Sequence, residues 1–149
     1  MHHYISRLKY VCQYIFSKKV FTNKTYYANI FYSGDMGQNK DDFKRGTAEL
    51  LVLHCLLKED LYGYQITHAF EEKTDGEYTM LEGSLYPILY KLEDAGYITS
   101  YSVKVGVRRV RKFYHIEESG RRHYEEILKD YLIVTKSIIK ILDRGIGNE

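Results

Sequence analysis

The sequence predicts a mainly α chain with one small β-hairpin: three short helices, then the hairpin, then a long last helix. Three observations carry that prediction. Apolar residues recur at helical spacing in three segments between residues 46 and 95, and again from about 118 to 142. Between those stretches, Tyr97–Val105 and Val110–Ile116 are rich in Tyr, Ile, Thr and Val and flank Gly106. A single proline in 149 residues leaves few forced breaks.

The first 35 residues differ from the rest. They hold nine of the 22 aromatics but one of the 20 acids, and carry a net charge of +4 against −2 for the remainder. Ile5, Leu8, Cys12 and Ile15 fit a short amphipathic helix over 4–17, and Tyr26–Tyr32 is strand-like at best. Arg7, Lys9, Lys18 and Lys19 interrupt any apolar core, which excludes a signal peptide. The expectation is an atypical extension over 1–35, disordered or not part of the native protein, with the protein proper starting at Met36. An arm for DNA or membrane is the alternative.

Leu50, Leu51, Leu53, His54 and Leu57 predict a first helix over 46–58. Asp60 stands where the N-cap of a second would, with Tyr62, Ile66, Ala69 and Phe70 on one face as far as Lys73. Thr74–Gly76 marks a turn. A third helix over 83–95 buries Leu85, Ile88, Leu89 and Leu92, with Pro87 in or near its first turn and Gly96 as its stop. Helix, helix, helix and hairpin in that order form a winged helix-turn-helix over 36–116. Residues 117–149 form a C-terminal helix and tail.

The hairpin is the strongest functional signal. Lys104, Arg108, Arg109, Arg111 and Lys112 have no acid among them and complement a phosphate backbone. Strand alternation puts Arg109 and Arg111 on one face, and Arg108 and Lys112 on the other. The third helix presents Ser84, Tyr86, Tyr90 and Lys91 away from its apolar stripe. Ser84 and Tyr86 suit base edges or a phosphate and Lys91 a phosphate. Equally open is Ser84 as a cap and Tyr86 as half-buried core. The acidic balance of 36–149 opposes DNA binding unless the acids lie elsewhere, and Glu71, Glu72, Asp75 and Glu77 cluster at the end of the second helix. On the last helix Tyr124, Ile127, Tyr131, Val134, Ile138 and Ile141 form a heptad seam, beside a second stripe of Leu128, Leu132, Ile139 and Leu142. One stripe serves the chain's own first helix and the other a partner. Such a homodimer sets two reading helices roughly 34–36 Å apart on a palindrome.

Catalysis is excluded on motif grounds. Adjacent His54 and Cys55 point about 100° apart on a helix. No zinc spacing, phosphate loop or G-x-S-x-G motif occurs, so no metal or cofactor is expected. Two cysteines, Cys12 and Cys55, make no disulfide framework, which points to a reducing, cytoplasmic setting. No apolar run nears the ~20 residues of a membrane span.

Gly46-Thr47-Ala48-Glu49-Leu50-Leu51-Val52-Leu53, Leu61-Tyr62-Gly63-Tyr64-Gln65-Ile66, the run from Glu82 through Ser84-Leu85-Tyr86-Pro87 to Ile98, Arg108–Tyr114 and Gly120 together resemble the PadR family of transcriptional regulators. The resemblance spans about 46–142. It implies a homodimeric repressor of double-stranded DNA with a C-terminal dimerisation helix, of the smaller subfamily. It implies DNA contacts at Tyr64, Ser84, Tyr86, Lys91, Arg108, Arg109 and Lys112. Some relatives bind planar aromatic drugs or phenolic acids between subunits. Tyr131 is the matching aromatic, so a small aromatic inducer is an implied partner. The chain departs from the family's pattern at Glu117, where a capping Thr is common, and in having no Trp near Tyr131. A reading from another class is a winged-helix protein-interaction module without specific DNA binding.

Overall fold

The computed structural model describes residues 38–145. The expected extension over 1–35, its helix over 4–17 and the stretch Tyr26–Tyr32 lie outside the described residues. The elements are α1 (Gln38–Leu56), β1 (Leu61–Tyr62), α2 (Gly63–Lys73), α3 (Glu82–Asp94), β2 (Ile98–Val105), β3 (Arg109–Ile116) and α4 (Glu118–Gly145). Residues Gln38–Asp130 make one compact unit, and the distal half of α4 from Tyr131 belongs to a second, taken by itself below. The strands form an antiparallel sheet in the order β1-β3-β2.

The expected α-rich architecture with a hairpin is present, and the differences are local. α1 starts at Gln38 rather than near residue 46. Its early turns have no long apolar stripe to reveal them, but Tyr78 ties them down by donating its hydroxyl to the Lys44 carbonyl at 3.1 Å. α1 packs against both α2 and β3. Its buried arc is therefore wider than a single stripe and includes Val52, Leu53, Cys55 and Leu56, while His54 is exposed.

Asp60 does not cap α2. The two-residue strand β1 intervenes, and Tyr62 holds the cap position with its N–H donated to Gln65 Oε1 at 3.2 Å. Asp60 instead accepts from the Tyr101 hydroxyl at 2.8 Å and lies 2.7 Å from His115 Nδ1. In α3, Leu81 is the N-cap and Pro87 is an interior residue, one turn further in than a first-turn proline. It removes the bond to the Gly83 carbonyl, but both residues are exposed, so water can satisfy that carbonyl. Gly96 (φ 71°) closes the helix as expected: its N–H reaches the Glu93 carbonyl and the Tyr97 N–H reaches that of Leu92, both at 3.0 Å.

Leu53 and Leu56 of α1, Ile66 of α2, Leu85, Leu89 and Leu92 of α3, and Ile98, Tyr114 and Ile116 of the hairpin form the core. Full burial of each such side chain stabilises by about 1.5–3 kcal/mol. α4 is fastened to this core by its first turns. Ser119 donates to the Gly96 carbonyl at 2.7 Å, and Thr99 donates to the Glu117 carboxylate at 2.7 Å. Leu128 is buried, and Tyr124 and Ile127 pack on the chain's own core. The expected six-residue seam is therefore divided, with its first two members used within the chain.

Gly120 sits where a Cβ would overlap the Tyr97 carbonyl oxygen, which is backbone and cannot move aside. We expect Gly120→Ala to destabilise by about 3 kcal/mol and to lower the thermal midpoint by about 10 °C or more. Gly46, in α1 with nothing near its missing Cβ, is the control: Gly46→Ala should stabilise by up to ~1 kcal/mol.

Candidate nucleic-acid interface

Register determines which way each wing cation faces. Val103 pairs with Arg111 and Val105 with Arg109, whereas Ser102 pairs with Lys112 and Lys104 with Val110. Tyr114 and Ile116, buried on the helix side, share a face with Lys112. Arg109 and Arg111 therefore lie on the outer face, in line with Phe113 and, across β1, Tyr62. Arg108 is not in a strand but in the turn that follows Gly106 (φ 71°).

The cations divide into two chemical classes. On the inner side, Lys112 Nζ lies 3.1 Å from Glu93 Oε2 and over the rings of Tyr90 and Tyr114. Lys91 Nζ lies 2.6 Å from Glu49 Oε2. Both were expected to meet phosphates, and each is instead matched by a carboxylate of this chain. Lys104, Arg108, Arg109 and Arg111 have no such acid among the described residues. The Arg111 guanidinium lies over the Tyr62 ring, 4.3 Å from its centroid.

Tyr62, Tyr64, Arg108, Arg109, Val110 and Arg111 line one open groove of about 580 Å³. Tyr64 is 56% exposed, at the start of α2, between Tyr62 and His68 in a run of roughly parallel rings. Ser84 is exposed on the first turn of α3, free to face a ligand and not acting as the cap. Tyr86 is half-buried against the core, with its hydroxyl under Gly63 and its ring on Tyr90. That is the core alternative left open by the sequence. Two groove and tip residues were not read from the sequence as site residues: Tyr62, which the spacing put on the apolar face of the second helix because a two-residue strand leaves no periodic signal, and Val107, fully exposed at the wing tip.

Behind the interface, Glu49 joins three helices. Its second oxygen lies 2.8 Å from His123 Nε2 of α4, and His123 stacks on Tyr97 with centroids 4.1 Å apart. Burial pushes the Glu49 carboxyl up, but the hydrogen bonds from Lys91 and His123 outweigh it and hold the group below the usual carboxylate range. Burial also opposes His115 and Tyr101 at Asp60, which ends lowered. The Ser100 hydroxyl, then Lys112, lower Glu93 against burial. Cys55 is buried, which raises its thiol pKa, and His54 Nδ1 lies 2.8 Å from the Tyr124 hydroxyl. Among the described residues, no group of His, Cys, Asp and Glu could hold a metal, and no helix is long and apolar enough to cross a membrane.

The distal half of α4, considered alone, is exposed along its apolar side at Tyr131, Val134, Ile138 and Ile141. Tyr131 is 41% exposed.

The model of the transcriptional regulator PadR-like family matches residues 52–126. The negative transcriptional regulator PadR of Bacillus subtilis is 34% identical over 82 residues, covering 55% of this chain and 43% of that protein. A solved transcriptional regulator from Clostridium thermocellum superposes with a TM-score of 0.63 at 32% identity, covering 66% of this chain and 96% of its own. Bacillus subtilis PadR, solved in complex with operator DNA, superposes with a TM-score of 0.50 at 32% identity, covering 58% and 47%. This chain thus spans less than half of the Bacillus protein and nearly all of the Clostridium one.

The three lowered carboxylates give stability a direction in pH. Their folded pKa values lie below the ordinary 4.5 of Glu and 3.8 of Asp, so the unfolded chain binds protons first as the pH falls. The stabilisation is complete above those ordinary values and is lost as the pH drops through the folded ones. Thermal melts from neutral pH to about pH 3 should show a fall confined to the acid end, and Glu49→Gln should flatten part of it.

Proposed function

The chain belongs to the PadR-like family of transcriptional regulators, and from that premise we propose that it is a homodimeric repressor. Its winged-helix unit binds a palindromic operator in the cytoplasm, and a small aromatic inducer releases it. The observation that carries this reading is the set of wing cations with no acid partner among the described residues, Lys104, Arg108, Arg109 and Arg111, three of them lining one groove with Tyr64. A cation not matched by a carboxylate remains available to a phosphate and releases counterions when it binds one. Ser84, on the first turn of α3, stands where a side chain can reach a base edge or phosphate. The complex of Bacillus subtilis PadR with operator DNA supports the choice of partner. Lys91 and Lys112 have the lesser role of holding α3 to α1 and to the wing.

Dimerisation is supported by the apolar side of distal α4, where Tyr131, Val134, Ile138 and Ile141 keep heptad spacing while exposed. Two-fold symmetry would repeat the head on the other half-site. Tyr131 lies on that seam and is the aromatic against which a planar ligand would stack.

The deciding experiment is fluorescence anisotropy of the protein with DNA from upstream of its own gene, against a scrambled duplex, over a range of salt. Selective binding that weakens steeply with salt supports the reading; equal, weak binding to both duplexes opposes it. Arg108→Ala and Arg109→Ala should each reduce the log–log salt slope by about 0.9, and Lys112→Ala by much less, because Glu93 already answers its charge. Ile138→Glu places a charge in the seam; light scattering should then report a monomer that keeps the wild-type melting midpoint of the head.

A further inference from the structure

We propose that Tyr62 is a positioning residue for DNA binding: its ring holds the Arg111 guanidinium in place without neutralising it. This rests on the DNA-binding reading above and deepens it. The wing fixes its cations in two ways. Lys112 is held by the Glu93 carboxylate, which occupies an ammonium hydrogen and cancels the charge. Arg111 has no carboxylate partner among the described residues, and the Tyr62 ring lies under it with 4.3 Å from guanidinium carbon to ring centroid. A guanidinium stacked on a ring uses only its flat face. A contact of this kind takes up no N–H donor and cancels no charge, so both stay available to a phosphate.

Tyr62 is itself immobilised, as a positioning group must be. Its backbone pairs with Phe113 in the sheet, and its N–H is held by Gln65 Oε1. The Phe113 ring meets it edge-on at 5.4 Å, and the Tyr64 ring lies nearly parallel at 6.3 Å. The same ring lines the groove with Arg108 and Arg109, so the oriented guanidinium faces the space a backbone phosphate would occupy. The cost of losing the ring is a freely rotating arginine and a less favourable contact, not a lost charge.

The test is a double-mutant cycle on the full chain, read by anisotropy with the upstream duplex and accompanied by thermal melts. Tyr62→Leu should weaken binding about two- to five-fold, the range of one exposed cation–π contact. Tyr62→Phe, which keeps the ring, should restore most of the affinity. In an Arg111→Ala background, Tyr62→Leu should have no further effect, because the group it positions is gone. A purely structural Tyr62 would instead show the same loss in both backgrounds, and that additivity overturns the proposal, as does wild-type affinity in Tyr62→Leu. Should Tyr62→Leu fail to fold, Arg111→Lys serves: it keeps the charge but not the planar stack, and wild-type affinity in it overturns the proposal. Absence of binding by the wild-type chain to either duplex overturns the DNA-binding reading and this inference with it.

Discussion

Tyr114 and Ile116 are buried against the helices, and through them the core fixes how the wing presents its charges. A strand alternates, so placing these two residues inward places Lys112 inward and Arg109, Arg111 and Phe113 outward. A slip of one residue would exchange the sets, exposing Tyr114 and turning the arginines onto α3. The core therefore stabilises the fold and also decides which cations face outward. β1 completes the arrangement by pairing with β3 on the far side from β2, which brings Tyr62 beside Phe113 and beneath Arg111.

Helix α4 shows how one sequence pattern is shared between two tasks. Its heptad residues repeat without interruption from Tyr124 to Ile141, yet Tyr124 and Ile127 close the head while Tyr131, Val134, Ile138 and Ile141 are left exposed. Gly120 makes the first task achievable, since only a residue without a Cβ lets the helix lie against the Tyr97 carbonyl. Glu49 adds a polar tie, holding Lys91 of α3 and His123 of α4 at once.

Much of this was legible in the sequence, for a physical reason. Helices α2, α3 and α4 and the hairpin announce themselves through local spacing, and Gly96 and Gly106 adopt the positive φ expected of a stop and a turn. What was not legible depends on partners distant in the chain. Lys91 and Glu49 are 42 residues apart, and Lys112 and Glu93 are 19 apart, so nothing local tells a neutralised lysine from a free one. The same holds for Asp60, a credible cap by position that is claimed by Tyr101 and His115. Strand β1 is two residues long, too short for any period, so spacing alone assigns Tyr62 to the helix that follows. Ser84, Arg108 and Arg109, which local spacing turns away from the core, are exposed, and so is Tyr64, which the resemblance alone named.

The wing tip has a consequence for how such a protein diversifies. From Lys104 to Arg109 every residue is exposed and none belongs to the buried core. Substitutions there, Gly106 with its positive φ excepted, leave the folding free energy nearly unchanged, since surface changes away from special features stay within about 0.5 kcal/mol. The segment can therefore drift, trading one charge or shape for another, while Tyr114, Ile116 and Gly120 keep the scaffold fixed. After gene duplication, two copies could come to differ in the charge and shape of the tip alone, with no compensating change in the interior.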